Sequence, residues 1–215
     1  HLENHSLKKY LQLIYTGETE MKVSIVIVTY NRSKDLEECL SSIFSMRTKP
    51  YEVIVVDSNS TDGTRRLKEY FPIKFVRIKE RNRQRARNIG ISIAKGDIIA
   101  FLDDDVIVHK DWLDHMIQPY ADDKVGGVGG RVIPCGVSSH HYVLIKNPMV
   151  GKVFRSGLVI GNFDLYFGIF IEVDSFIGCN MSFRKELLKD VGGFDENYKG
   201  TGYRDDTDLC MRIRR

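Results

Sequence analysis

The sequence predicts an α/β domain built on a mostly parallel sheet flanked by helices, and three observations carry that expectation. Short apolar, β-branched runs recur at residues 23–28, 51–56, 74–78 and 97–102, as strands buried on both faces require. Between them lie stretches with apolar residues at helical spacing. Strand alternating with helix is the pattern of right-handed crossover units in a doubly wound sheet. Polar, ligand-like residues follow three of the four runs, at the edge where open α/β sheets bind ligands. A length of 215 residues and a hydrophobic fraction of 42% fit one domain with a real core.

Taken in order, residues 1–20 stand apart from this pattern. Leu7, Tyr10, Leu11 and Ile14 share a helical face and Gly17 would end it, so a short amphipathic appendage is expected before a domain spanning 21–215. After the first strand, Leu36, Cys39, Leu40 and Ile43 mark a helix over 35–46, closed before Pro50. Further helices are expected over 64–70 and 83–94. The nucleotide-binding half would close near residue 133 with a glycine-rich strand over 125–132. In the acceptor-side half, 134–215, residues 134–170 read as irregular, with aromatics Tyr142, Phe154, Phe163, Tyr166 and Phe167 suited to a lid, an acceptor pocket or a cover over the sheet edge. A last sheet-like run over 172–183, a helix over 184–191 ended by Gly192 and Gly193, and a helix beginning near Asp206 complete the chain.

Bulk chemistry excludes several classes. A formal net charge of +3 is too mild for nucleic-acid binding. The four cysteines are scattered without a CxxC pair, as reduced thiols of a cytoplasmic protein would be. No apolar run approaches the roughly 20 residues of a membrane span, and the first residues lack the features of a signal peptide. There is no GxxxxGK[ST] loop, and no GxGxxG follows the first strand. Adjacent His140 and His141 would point apart on a strand, which disfavours a metal site there.

The fourth strand ends in Asp103, Asp104 and Asp105. Three adjacent carboxylates repel one another unless a cation neutralises them. Asp103 and Asp105 would share a side if the pleat continued, making an Asp-x-Asp pair for a divalent metal that also holds phosphate. The competing reading is an acidic turn before a helix near Asp111 and Trp112. Tyr30 offers a face for a base, and Asp57 can accept from a base N–H. Asp205, Asp206 and Asp208 would be either first-turn acids favoured by the helix dipole, or include a general base.

In order along the chain stand VTYNR at 28–32, VDSNSTDGT at 56–64, ARNIG at 86–90 and FLDDD at 101–105. GCNMSFR at 178–184, GGFDE at 192–196 and DDTDL at 205–209 follow. This series resembles the family 2 glycosyltransferases over about residues 21–215. The resemblance implies a GT-A (Rossmann-like) fold and an inverting, metal-assisted transfer of sugar from a nucleotide-diphosphate donor, of UDP or GDP type, to a glycan or lipid-linked hydroxyl. It implies that Thr29, Tyr30, Arg32, Asp57, Arg87, Asp103 and Asp104 line the nucleotide. Asp105, with Asp103, would hold Mn2+ or Mg2+. Asn180 and Asp205 would meet donor sugar or acceptor, and Asp206 would be the catalytic base. Asp205 stands where the family has Glu. Relatives continue beyond the helix in which this chain stops, sometimes into a membrane-associating region. The resemblance therefore implies a C-terminally truncated domain and peripheral association with the cytoplasmic face of a membrane. The alternatives are a nucleotide-sugar-binding module without robust turnover and a nucleotidyltransferase; the latter would need a glycine-rich basic loop after the first strand, which residues 30–33 do not supply.

Overall fold

A computed structural model describes residues 21–136, 149–165, 168–198 and 204–214. The first half alternates β1 (Val23–Thr29), α1 (Ser33–Phe44), β2 (Glu52–Asp57), a 3-10 helix (Gly63–Glu69), β3 (Lys74–Arg77), α2 (Arg83–Ile93) and β4 (Ile98–Asp103). The second half adds α3 (Trp112–Ile117), β5 (Gly127–Gly129), a small hairpin of β6 (Lys152–Val153) and β7 (Val159–Ile160), β8 (Asn180–Arg184), α4 (Lys185–Asp190) and α5 (Asp205–Ile213).

The main sheet has the order β3-β2-β1-β4-β8-β5. The first four strands are parallel, and β8 runs antiparallel between β4 and β5. This is the mostly parallel sheet of the GT-A arrangement. Strand alternation divides the core in two. Ile25, Ile27, Val53, Val55 and Leu102 pack with Leu36, Leu40 and Ile43 of α1 on one face. Val26, Ile54, Val56 and Phe101 pack with Ala86 and Ile91 of α2 on the other. Burial on both faces is why these strands read as unbroken apolar runs.

One glycine sets the distance between α2 and the sheet. A Cβ on Gly90 would stand 2.4 Å from Val26 Cγ1, so the helix backbone rests directly on β1.

Several expected elements are shorter or different. The helix expected over 64–70 is the 3-10 helix Gly63–Glu69, begun by Asp62, whose carboxylate accepts from Thr64 N at 3.0 Å. The strand expected over 125–132 is three residues long, paired with β8 only from Gly127 to Gly129, and its glycine backbone packs against Phe176, whose Cδ1 would lie 2.5 Å from a Cβ on Gly129. Of the run over 172–183, only the end joins the sheet; Asp174 N and Ser175 N instead donate to Gly151 O, at 3.0 and 2.9 Å. The segment read as irregular contains the β6–β7 hairpin. Gly192 and Gly193, both with φ above +70°, close α4 as expected. Residues 1–20, His140, His141, Tyr142, Tyr166, Phe167 and Arg215 lie outside the described residues. Among the described residues no helix is long and apolar enough to cross a membrane.

Candidate active site

Strand register assembles the site. Thr29 pairs with Asp57 and Val28 with Asp103, so β1, β2 and β4 end level on one edge of the sheet. The turns after β1 and β2 are laced together. Asn31 N donates to Ser60 Oγ at 2.8 Å, and Thr61 N donates to Asn31 Oδ1 at 2.7 Å. Asn31 and Asn59 both adopt positive φ, which Asn tolerates better than most residues.

Asp57 is fully buried in this corner. Its Oδ1 accepts from Ser60 N at 3.0 Å, while Oδ2 has no hydrogen-bond partner among the described residues. Arg77 Nε lies 3.8 Å from Oδ2, and that guanidinium donates to Asn59 Oδ1 and Ser60 O at 2.7 and 2.8 Å. A buried, acceptor-only oxygen left open is costly unless a ligand donor meets it. Beside it, the Arg81 guanidinium lies 4.1 Å over the Tyr30 ring.

The acidic ledge differs from the expected pleat. Strand β4 stops at Asp103, and Asp104 and Asp105 form a turn, so strand alternation does not relate Asp103 to Asp105. The carboxylates are instead shared between two arginines. Asp103 accepts from Arg87 Nη2 at 3.2 Å. Asp104 accepts from Thr29 Oγ1 at 2.8 Å and Arg32 Nη1 at 3.1 Å, and Asp105 accepts from the same Arg32 nitrogen at 2.7 Å. Burial pushes the Asp104 carboxyl above its ordinary range, against the Thr29 bond and the Arg32 charge.

Among the described residues no cluster of three or more His, Cys, Asp or Glu side chains is placed to hold a metal ion. Asp105 and Asp103 nonetheless fit Mg2+ or Mn2+, which take a few carboxylates and complete their shell with water and substrate phosphate. Both are hard oxygen donors and partly exposed, at 52% and 37%. The Arg32–Asp105 pair is half exposed on both sides, and such pairs are weak enough to yield.

Joined to the ledge through Arg87 stands the first turn of α5. Asp206 Oδ2 accepts from Gly178 N at 2.8 Å, and Oδ1 accepts from Thr207 N at 2.7 Å. Burial raises its carboxyl above the ordinary range, aided by the Asp205 charge and opposed by the two N–H donors and Arg87.

Residues 24–192 match the signature of Glycosyl transferase family 2. The chain belongs to this family. It is 29% identical over 209 residues to the glucosyl-dolichyl phosphate glucuronosyltransferase of Haloferax volcanii, covering 90% of this chain and 63% of that protein. Its fold is similar to the mannosyltransferase PcManGT from Pyrobaculum calidifontis, solved with GDP-Man and Mn2+ (TM-score 0.64, 24% identity, 97% of this chain, 59% of that one). S. aureus TarS 1-349 is similar at TM-score 0.64 and 22% identity, over 90% of this chain and 55% of that one, and TarS has also been solved with UDP-GlcNAc. The chain thus spans between 55% and 63% of the length of these proteins.

Within this family 2 domain, most expected site residues converge. Thr29, Arg32, Asp57 and the ledge share one edge, and Arg87 links Asp103 to Asp205 on α5. Asn180 is different, because its side chain is engaged at both ends. Its Oδ1 accepts from Trp112 Nε1 at 3.0 Å, and its Nδ2 donates to Arg131 O at 3.1 Å. Sequence reasoning missed Gln84 and Arg83, which reach Asp205, and Gly178, which caps Asp206. The available signal was that Gln84 and Arg87 stand three apart on α2, hence on one helical face.

Proposed function

We propose that this domain transfers a sugar, with inversion, from a nucleotide-diphosphate donor to a hydroxyl of a glycan or lipid-linked acceptor. The open, buried Asp57 Oδ2 on the same sheet edge as the acidic ledge carries the reading. A carboxylate there accepts from a base N–H, which uracil and guanine both offer, and Thr29 and Tyr30 line the base and ribose. Arg32 and Asp104 border the phosphates. The mannosyltransferase neighbour with GDP-Man and Mn2+, and TarS with UDP-GlcNAc, support this class of donor.

Asp206 takes the proton from the acceptor hydroxyl, and that oxygen attacks the anomeric carbon opposite the departing diphosphate. Its raised carboxyl makes it a better base than an ordinary aspartate. A divalent cation held by Asp105, with Asp103 beside it, would supply Lewis-acid stabilisation of the leaving diphosphate.

The test is Asp206→Asn, assayed by release of UDP or GDP from UDP-GlcNAc, UDP-glucose and GDP-mannose with Mn2+ across a panel of glycan and lipid-linked acceptors. Turnover should fall by about 100-fold or more, with nucleotide binding near parental. Turnover at the parental rate in the variant would overturn the base assignment. Nucleotide-sugar binding by the parental chain without any release would make the domain a binding module instead.

A further inference from the structure

Asp205 stands where a substrate contact was expected, yet it is 2% exposed. Its Oδ2 accepts from Gln84 Nε2 at 2.9 Å and Arg87 Nη1 at 3.0 Å, and its Oδ1 accepts from Arg83 Nη2 at 3.4 Å and from Asp206 N at 2.9 Å. Three side chains of one turn of α2 therefore converge on a single carboxylate at the start of α5. Residue 204, just before it, is in the left-handed region with φ of 69°. Asp206 follows directly and faces Gly178. A carboxylate with its oxygens occupied by four donors has little capacity left for a sugar hydroxyl.

We propose that Asp205 is a positioning residue: it pins the first turn of α5 to α2 and thereby holds Asp206 in place beside the ledge. Gln84 is its neutral partner and Arg87 its charged one. Arg87 also donates to Asp103, so the pin fixes the base relative to the ledge that faces the phosphates. Displacement of a catalytic group by even an ångström lowers turnover steeply while leaving donor binding alone. This role rests on the proposed use of Asp206 as base.

The test compares Asp205→Asn, Gln84→Leu and Asp206→Asn in the full chain, using nucleotide release from the three donors above. Calorimetric Kd for UDP and GDP with Mn2+, and hydrogen exchange of the amides of residues 206–209, complete it. Asp205→Asn should lower kcat by at least tenfold and Gln84→Leu several-fold, with donor KM and nucleotide Kd unchanged. Amide exchange at 206–209 should quicken tenfold or more while the β1 and β4 amides keep parental protection. Parental kcat in folded Asp205→Asn and Gln84→Leu, with Asp206→Asn inactive, overturns the pin alone. A tenfold rise in donor KM at parental kcat makes Asp205 a sugar contact and also overturns it. Parental turnover in Asp206→Asn removes the base reading, and the pin with it.

Discussion

Arg87 and Asp205 form a buried ion pair at 3.0 Å, each side chain 3% exposed, between elements 118 positions apart in sequence. The same guanidinium reaches Asp103 and Gly178 O, both at 3.2 Å, and lies 5.0 Å over the Phe194 ring. A planar fork can serve these acceptors together, whereas an ammonium is a point charge. Removing one partner of a buried pair strands the other charge. Arg87→Leu should therefore cost about 3 kcal/mol of folding stability, and Arg87→Lys less. Urea unfolding measures both, and parental stability in Arg87→Leu would show that Gln84 and Arg83 suffice.

The strands β1, β2 and β4 were legible because burial on both faces leaves an unbroken apolar signature, and the family motifs located the sheet edge. What was not legible depends on chain folding back. Gln84 meets Asp205 across 121 positions; its spacing from Arg87 marks a shared helical face but not the carboxylate that the face meets. The pleat expected through Asp105 is absent because β4 gives way to a turn at Asp104 and Asp105, where Arg32, brought over from the end of β1, bridges the two carboxylates. The role of Asn180 as a donor-sugar or acceptor contact came from the family resemblance, and no local signal showed that Trp112 and the Arg131 carbonyl would engage both ends of its side chain.

Gly90 gives a test of the packing. Alanine is intrinsically the better helix former by about 1 kcal/mol, but here its Cβ would lie 2.4 Å from Val26 Cγ1. Overpacking of this kind costs about 1–3 kcal/mol, and β1, paired on both sides, has little freedom to retreat. Gly90→Ala should lower the denaturation midpoint, and adding Val26→Ala should recover part of the loss. Additive effects of the two changes would mean that the contact does not control α2.

Asp57 gives a test of base recognition. Asparagine keeps an oxygen for Ser60 N but presents an N–H where Oδ2 stands open. A hydrogen bond to a charged acceptor contributes about 1.5–3 kcal/mol, so UDP affinity in Asp57→Asn should drop roughly 10- to 100-fold. Calorimetry with UDP measures it. Thermal stability without ligand should not fall, since the change replaces an incompletely paired buried charge with a neutral group.

The ledge gives a test of the cation. UDP with Mn2+ at a hundred times its Kd should stabilise the parental chain by about 2.7 kcal/mol. Asp105→Ala should lose the manganese-dependent part of that shift and keep the part due to UDP alone. If manganese adds the same increment to both proteins, Asp105 is not a ligand.

The pH dependence follows from Asp206, whose carboxyl is raised first by burial and then by the charge of Asp205, against the Thr207 and Gly178 N–H donors and Arg87. The base acts deprotonated, so turnover falls as pH drops through its folded value, which lies above the ordinary value of about 3.9. For stability the sign is opposite to that of a salt-bridged aspartate. Between the ordinary and the raised value, the folded chain keeps a proton that the unfolded chain has released, so this group's contribution declines as pH rises across that window. Asp205→Asn removes a charge that raises Asp206 and frees Arg87 from its buried partner, and both changes favour the ionised base. The acid limb of kcat against pH should therefore move to lower pH in Asp205→Asn, even as its plateau falls. A limb that stays in place would mean that a group other than Asp206 sets it.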